Sequence, residues 1–558
     1  MPAVAQTRWT RQAGGDGGQQ INSIAVDGSA NAYVVGFSRG VAIFDTITVG
    51  QAGVAAYFIA KYTAQGDASW VRTITGGNLL KVVVDAAGDV YAVGSFSGTI
   101  ALGGIRLTSQ GKGDLLLVKY NPQSTVLWAR AGGSAPGSWL SGQALALDAA
   151  GNVYVGGALG GTAYPGGSAG MLTSVGKQNI IFAKYTSQGQ AVWMRQGGGA
   201  DNSGGLSALG VDAAGSIYLV GGFNDTVSFG ATKLVSQSST GQILLAKCSS
   251  TGDFLWARSE GGPGRASGQD IVVDEQGNSV IVGMLGGINT QQQATFGSTT
   301  FQVRGFGGFA VKHDAAGNVL WGSQLGSDNT NYSTGVALDR AGNVYVAGVY
   351  SSALPAWGPG GQLAYPGGNK NVYAVKYSPQ GKVLAAQREG ACGSAYYPCI
   401  AVTAAQDIFL AGFFAGPASF VSTLFGKTGG QLFLARLGNL STPSTPDNFA
   451  CSGVAPTPTP TPTPAPTPAP TPPPAPQELV IPNIITPNGD GQNDQLKISG
   501  LVNKEWQLVV YNRWGQQVYS SPAYEQSWDA TGQPAGTYYY RLWQPGGRTY
   551  QGWLDVVR

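Results

Sequence analysis

Histidine is nearly missing from this chain: one occurs in 558 residues, His313, alongside four cysteines and a charged fraction of only 11%. A lone histidine leaves little for imidazole acid–base chemistry or for a His-rich metal centre. Four cysteines are too few for a disulfide framework. A net charge of +3 with no Lys/Arg cluster argues against a nucleic-acid face. No run of eighteen apolar residues exists to span a membrane. Helical periodicity is absent, as are Gly-x-Ser-x-Gly, His-Glu-x-x-His and a phosphate-binding glycine loop. Redox, nucleophilic-serine and nucleotide chemistry therefore have no motif to stand on.

What is present is glycine, 87 residues of it, and one phrase repeated. Asp-x-x-Gly-x-Val-Tyr-Val-x-Gly starts at Asp27 (with Ala30 in the Gly position), Asp85, Asp148, Asp212, Asp274 and Asp339, and a worn copy starts at Thr403. The spacings are 58, 63, 64, 62, 65 and 64 residues, so one unit is used seven times. Each unit carries a second signature, such as FIAKYTAQGDASWVR from Phe58 and IFAKYTSQGQAVWMR from Ile181. Both phrases are short apolar runs flanking a polar turn, in which Asp suits the first position and Gly the last. Each repeat thus predicts two hairpins, or four strands, and an all-β chain.

The ends suggest how the units close. The last one stops at QLFLARLG, Gln431 to Gly438, without a Trp-x-Arg strand, and the chain opens with TRWTRQAGG, Thr7 to Gly15, which supplies one. The fold class predicted is therefore a seven-bladed β-propeller of four-stranded blades, with the N-terminal strand closing the last blade. The phrase pair resembles the β-propeller repeats of exported bacterial proteins over about Gln6 to Gly438. That resemblance implies a fold and no particular activity. Trp9, Trp70, Trp128, Trp193, Trp256 and Trp321 recur at one place in the outer strand, as packing between neighbouring blades requires; sugar stacking is the alternative use. Lys61, Lys119, Lys184, Lys247, Lys312 and Lys376 are expected along blade edges with their heads in water. His313 fills a Tyr slot of a repeat and reads as a strand residue.

After Gly438 the composition changes. Residues 439–476 read as a Ser/Thr/Pro-rich linker ending in APTPTPTPTPAPTPAPTPPPAP, a polyproline spacer reaching about 65 Å when extended. Residues 477–558 then predict a small Ig-like β-sandwich. Their TPNGDGQND, VYNRWGQQVY, Trp-Asp and PAGTYYY segments resemble the gliding-motility-associated C-terminal domain, the type B sorting signal of type IX secretion in Bacteroidetes. The matching positions are Pro487, Asn488, Gly489, Asp490, Gly491, Asn493, Asp494, Asn512, Arg513, Trp514, Gly515, Trp528, Asp529, Gly536, Thr537 and Tyr538. WDATGQPAGTY departs from the family's more usual Trp-Asp-Gly. The resemblance implies a partner, the type IX machinery at the outer membrane, and passage through the periplasm to the cell surface or medium.

No cofactor is expected, with one alternative: Asn488, Asp490 and Asp494 resemble the start of a calcium loop, although the acidic residue that would complete it is missing. Cys392 and Cys399 bracket a short loop and could form a local disulfide; Cys451 could compete for either, and Cys248, in a Tyr slot, reads as a buried thiol. Ala3-Val4-Ala5 before Gln6 has the small-residue pattern of a signal-peptide cut, making residues 1–5 a remnant and 6–438 the propeller. The reading these features favour is a non-enzymatic, exported propeller that binds a glycan or protein through loops between its second and third strands, such as 38–55, 222–241 and 350–371. A polysaccharide-degrading enzyme and a purely structural surface scaffold remain as alternatives.

Overall fold

The computed structural model describes residues 8–15, 17–164, 170–199, 204–326, 331–351, 370–389, 394–419, 423–425, 430–440, 479, 481–490, 493–499, 501, 506–544 and 549–558. The chain divides into two compact units, Met1–Pro456 and Thr457–Arg558. Among the described residues every regular element is a β-strand. In the first unit, seven sheets share one order, four antiparallel strands running outward. Their innermost strands are Gln19–Val26, Lys81–Val84, Trp139–Leu147, Gly205–Val211, Ala266–Val273, Tyr332–Leu338 and Ser394–Val402. Each packs against the next, and the last packs against the first. The strand Trp9–Gly14 pairs antiparallel with Gln431–Gly438, Trp9 opposite Arg436, as the outer strand of the final sheet. The fold is an all-β propeller.

The turn phrase works through its carboxylate. Asp27 Oδ1 accepts from the backbone N–H of Ser29 and Asn31, both at 2.9 Å, and Oδ2 accepts from Asn31 Nδ2 and the Tyr33 hydroxyl. The same set recurs at Asp148 and Asp339. The repeated lysine joins this network rather than water, contrary to expectation. Lys119 Nζ lies 4.7 Å from the centre of the Tyr91 ring and 2.8 Å from Asp89, and Lys184 and Lys247 take matching places over Tyr154 and Tyr218. Lys312 and Lys376 are only 5% and 7% exposed. A buried ammonium is tolerable when a carboxylate and an aromatic face replace its hydration, and most repeats supply both.

The tryptophans join blade to blade. Trp9 Nε1 donates to the carbonyl of Ala64, Trp70 to Pro122, Trp128 to Ser187 and Trp321 to Pro379, in each case on the turn between the third and fourth strands of the following blade. That turn needs glycine twice over. Gly66 and Gly189 have φ of +90° and +75°, and a Cβ on either would lie 2.8 Å from the tryptophan ring of the preceding blade. Where the second blade carries Ser124 instead, φ is +69° and Arg72 Nη2 donates to its hydroxyl at 2.5 Å.

The sixth blade has Ala385 in the tryptophan position. The following blade has no turn to receive a ring, because its third strand ends at Gly438 and its fourth comes from the N-terminus. Ala385 instead shares a buried cluster with Leu437 and Leu440, where the chain leaves the sheet. Trp9 then seats on the first blade as every other tryptophan does on its neighbour.

The segments between second and third strands are largely hairpins, such as Ala42–Phe44 with Ile47–Val49 and Thr226–Phe229 with Thr232–Val235. They clasp the preceding blade: Phe44 pairs with Ala13, Tyr164 with Gly133, and Ser228 bridges Gly198. Phe44, Phe229 and Phe296 are fully buried. Where they are described, these segments are structural straps over much of their length, which leaves less free loop for recognition than their sequences suggest.

The second unit holds one five-stranded sheet, ordered Ile484–Ile485, Thr549–Val556, Gly536–Trp543, Gln507–Asn512, Gln517–Ser521, with only the first pair parallel. Its second layer is formed by the segments carrying Leu496, Ile498, Tyr524 and Trp528, which close one core with Leu508, Val510, Leu542 and Leu554.

Substituting Gly189→Val places a β-branched residue at φ +75° under the Trp128 ring, and is expected to destabilise the propeller by about 2–4 kcal/mol. Gly28→Ala, where a Cβ meets nothing within 4 Å, is expected to stay within about 0.5 kcal/mol. Denaturant unfolding of the two variants tests the contrast.

Candidate functional site

The ring places one set of side chains on its axis. In most of the inner strands the register shifts at a bulge five residues before the turn Asp, at Asn22, Gln143, Ser207, Gln269 and Thr334. The next position holds Ser23, Lys81, Ala144, Ala208, Asp270, Gly335 and Cys399 around the ring. Lys81 Nζ and Asp270 Oδ1 meet at 3.0 Å, joining the second blade to the fifth across the axis, with side chains 27% and 15% exposed. Asp270 Oδ2 also accepts from the Val336 N–H of the sixth blade, much as Ser23 Oγ accepts from Val82 of the second. Burial opposes the charge on Lys81, but the Asp270 carboxylate outweighs it and raises the ammonium above its ordinary value.

Cys399 is the remaining reactive group of this ring. Burial pushes its thiol up to about 12, against the pull of nearby Lys81. It is a free, protonated thiol that donates to the Asn22 carbonyl at 3.3 Å. This contact across the blade boundary stands where a Cys392–Cys399 bridge was expected; Cys392 itself, like Cys451, lies outside the described residues. Cys248 is buried and free. His313, fully buried, has Nε2 2.9 Å from Glu260 Oε1 of the preceding blade, so the lone histidine faces core rather than solvent. Among the described residues no group of three or more His, Cys, Asp or Glu could hold a metal ion.

In the second unit the predicted signature residues build turns and core. Asp494 Oδ1 accepts from the N–H groups of Asn488 and Gly489, and Asn488 and Asp490 bond to each other. Asn488 Oδ1 and Asp494 Oδ1 thus face their own backbone, and Asp490 Oδ2 accepts from the Asn488 amide; Gly491 lies outside the described residues, and Pro487 precedes the turn. Asn512 Oδ1 accepts from Trp514 and Gln516, repeating the Asp turn of the propeller, and Gly515 takes φ +78°. Trp514 is 75% exposed, with the Arg513 guanidinium 4.8 Å from its ring centre. Trp528 is buried edge-on to Tyr538, Asp529 caps the turn at Thr531, and Thr537 donates to Asp555 beside Gly536. Asn493 sits at φ +55° and its carbonyl accepts from Thr486.

The axial ion pair went unseen in the sequence, although a signal exists. Aligned on the turn Asp, that position is small or uncharged in every repeat except those holding Lys81 and Asp270.

Comparison with known proteins agrees with this anatomy. Residues 479–556 match the CHU_C type IX secretion signal domain, and residues 8–40 and 320–349 match the β-propeller repeat family. The chain thus combines β-propeller repeats with a type IX secretion signal domain, which indicates export to the cell surface or extracellular space. No helix among the described residues is long and apolar enough to cross a membrane. A 202-residue stretch is 27% identical to the regulatory protein FlaEY of Caulobacter vibrioides, spanning 35% of this chain and 21% of that protein. Solved structures similar to it include a protein of unknown function from Dyadobacter fermentans, at 9% identity over 78% of this chain and 99% of that one with a TM-score of 0.33. YCF48 bound to a D1 peptide aligns at 12% identity over 79% and 97% with a TM-score of 0.35.

Two outcomes are expected. Lys81→Met and Asp270→Leu each leave a charge unpaired on the axis, and the double variant is expected to be more stable than the single variants' losses sum to, by about 1–2 kcal/mol in a double-mutant cycle. The second concerns acid. Burial works against the Asp148 charge, but hydrogen bonds from Asn152 and Tyr154 and the charge of Lys184 outweigh it and hold the carboxyl below 3.8. Such a group stabilises the fold above its unfolded value and ceases to as pH falls through the native one. Asp148→Asn is accordingly expected to cost most at neutral pH, and its deficit should shrink in unfolding measurements at about pH 2.5.

Proposed function

We propose that this protein is a non-enzymatic binding module, presented outside the cell on a propeller and delivered there by residues 477–558. The observation that carries the proposal is the state of the axis, where propellers gather their chemically able groups. Lys81 and Asp270 are engaged with each other, the Cys399 thiol is protonated, and Asp270 is the sole carboxylate in its ring. A glycosidase needs two carboxylates facing one bond, which this ring does not offer. Binding through exposed groups at the mouth asks for nothing the chain lacks. Residues 439–476 act as the spacer between the module and its sorting signal, and residues 6–438 as the module itself.

Removing residues 477–558 is expected to leave a folded propeller inside the cell envelope, protected from added protease, while the full chain is digested at the surface or recovered from the medium. The purified full chain is expected to be retained by a glycan or surface protein without releasing reducing sugar from polysaccharides. Normal export of the truncated chain would overturn the sorting assignment, and sugar release would overturn the non-enzymatic one.

A further inference from the structure

One inner strand breaks the pattern of the other bulges. In Ser394–Val402 the register skips from Tyr396 to Cys399, so two residues, Tyr397 and Pro398, stand where five other inner strands of the ring bulge by one. Pro398 turns back on the sixth blade, its carbonyl accepting from Thr334 Oγ1 at 2.6 Å. Tyr397 is left at φ +46°, a conformation that a bulky L-residue adopts at a cost, and its side chain is 50% exposed.

The strain aims the ring into a cluster. Tyr332, at the start of the sixth blade's inner strand, has its ring centre 5.9 Å from that of Tyr397. Phe413 lies 6.2 Å from Tyr397 and stacks on Tyr396 at 4.9 Å. Lys370 Nζ stands 4.7 Å from the Tyr396 ring centre and 5.8 Å from that of Tyr332. Among the described residues no carboxylate comes within ion-pair distance of Lys370. Tyr332 and Ser394 begin their strands at the ends joined to the fourth-to-first connections, so the cluster lies at a mouth of the axis, between the sixth and seventh blades.

We infer that this cluster is a binding site for an acidic glycan, with Tyr397 as the stacking platform and Lys370 as the partner of a sugar carboxylate. This rests on the binding-module reading above and names its ligand class. The phenol rings offer flat apolar faces for the C–H side of a pyranose and hydroxyls for its oxygens. The Tyr397 ring packs in part against Tyr332 and Phe413, and the half that stands in water, on a strained backbone, is left open to a ligand. The Lys370 ammonium, with no carboxylate beside it among the described residues, favours an anionic sugar over a neutral one. A peptide is less well served, since the described residues of the cluster offer ring faces and a charge, which suit a sugar ring better than an extended backbone.

The test is titration of the full-length protein with galacturonate oligosaccharides and, as the neutral counterpart, β-1,4-linked glucose oligosaccharides. Tyr397→Ala is expected to weaken galacturonate binding by about tenfold. Lys370→Gln is expected to weaken it by about fivefold while leaving any neutral binding unchanged. Tyr397→Gly, which suits φ +46°, removes the ring without straining the fold and is expected to match Tyr397→Ala. Galacturonate binding that survives both Tyr397 variants would overturn the site while leaving the binding-module reading intact. Equal affinity for the two oligosaccharides, unaffected by Lys370→Gln, would overturn the acidic class. Failure of the parent chain to bind either sugar would overturn the inference outright.

Discussion

The contact on which this propeller depends is an indole laid across a glycine turn. Each tryptophan of an outer strand covers the turn of the next blade and, in four of the six cases, donates its N–H to a carbonyl there. The arrangement is directional, because ring and turn lie on different blades. It therefore fixes how far each blade is rotated against its neighbour, and repetition of that rotation brings the chain back on itself. The turn residue cannot grow without displacing the ring, which is why glycine recurs there and why a serine is accepted only with a positive φ and an arginine beside it. Ala385 follows from the same constraint. A tryptophan there would have no turn to cover, since the seventh sheet takes its outer strand from the other end of the chain.

A second system runs through each blade, made of a turn aspartate, a tyrosine and a lysine. Its members change together. The fifth blade has Val280 in place of the tyrosine, and Lys312 draws to 3.3 Å from Asp274. The seventh has Thr403 for the aspartate and Phe409 for the tyrosine. There Arg436 replaces the lysine, pairs with Asp407, lies over the Phe409 ring and reaches the Ala64 carbonyl of the first blade. The sequence that looks most worn is a working variant of the same network. At the boundary of the fourth and fifth blades the buried tyrosine gives way to His313, with Glu260 opposite it. Each of these replacements brings its own partner, His313 with Glu260 and Arg436 with Asp407, although His313 Nδ1, Glu260 Oε2, Asp407 Oδ1 and Arg436 Nε stay without one among the described residues.

Much of this could be read from sequence because a repeat multiplies a weak signal. One Asp-x-x-Gly turn says little, whereas five, with two variant copies at near-constant spacing and TRWTR at the start answering the unfinished QLFLARLG, specify strand number and closure. Three things stayed hidden. The lysine heads were placed in water because their partners, the aspartate and tyrosine, lie some thirty residues earlier in the chain and meet them only through strand pairing. The segments between second and third strands looked like free loops because nothing local shows that Phe44 or Phe229 reaches a neighbouring blade. Lys81 and Asp270 are 189 residues apart, and only the curvature of the ring sets them face to face. In the sorting unit the signature residues were found by resemblance, and the structure gives them physical work: Asn512 and Asp494 hold turns, and Trp528 fills the core.

Departures from the repeat then sort into two kinds. Ala385, Ser124, Thr403 and His313 are each matched by a compensating change nearby, so the fold alone accounts for them. The axial Lys81 and Asp270 compensate each other. Tyr397 differs: the extra residue in its strand, the unfavourable φ and the exposed ring all add cost, offset only in part by ring contacts to Tyr332 and Phe413 and by the Thr334 hydrogen bond to Pro398. Where a repeat protein carries an irregularity that is only partly offset at the mouth of its axis, stability alone gives little reason to keep it. On the binding site inferred above, the free energy of a ligand seated on that ring would supply the remainder.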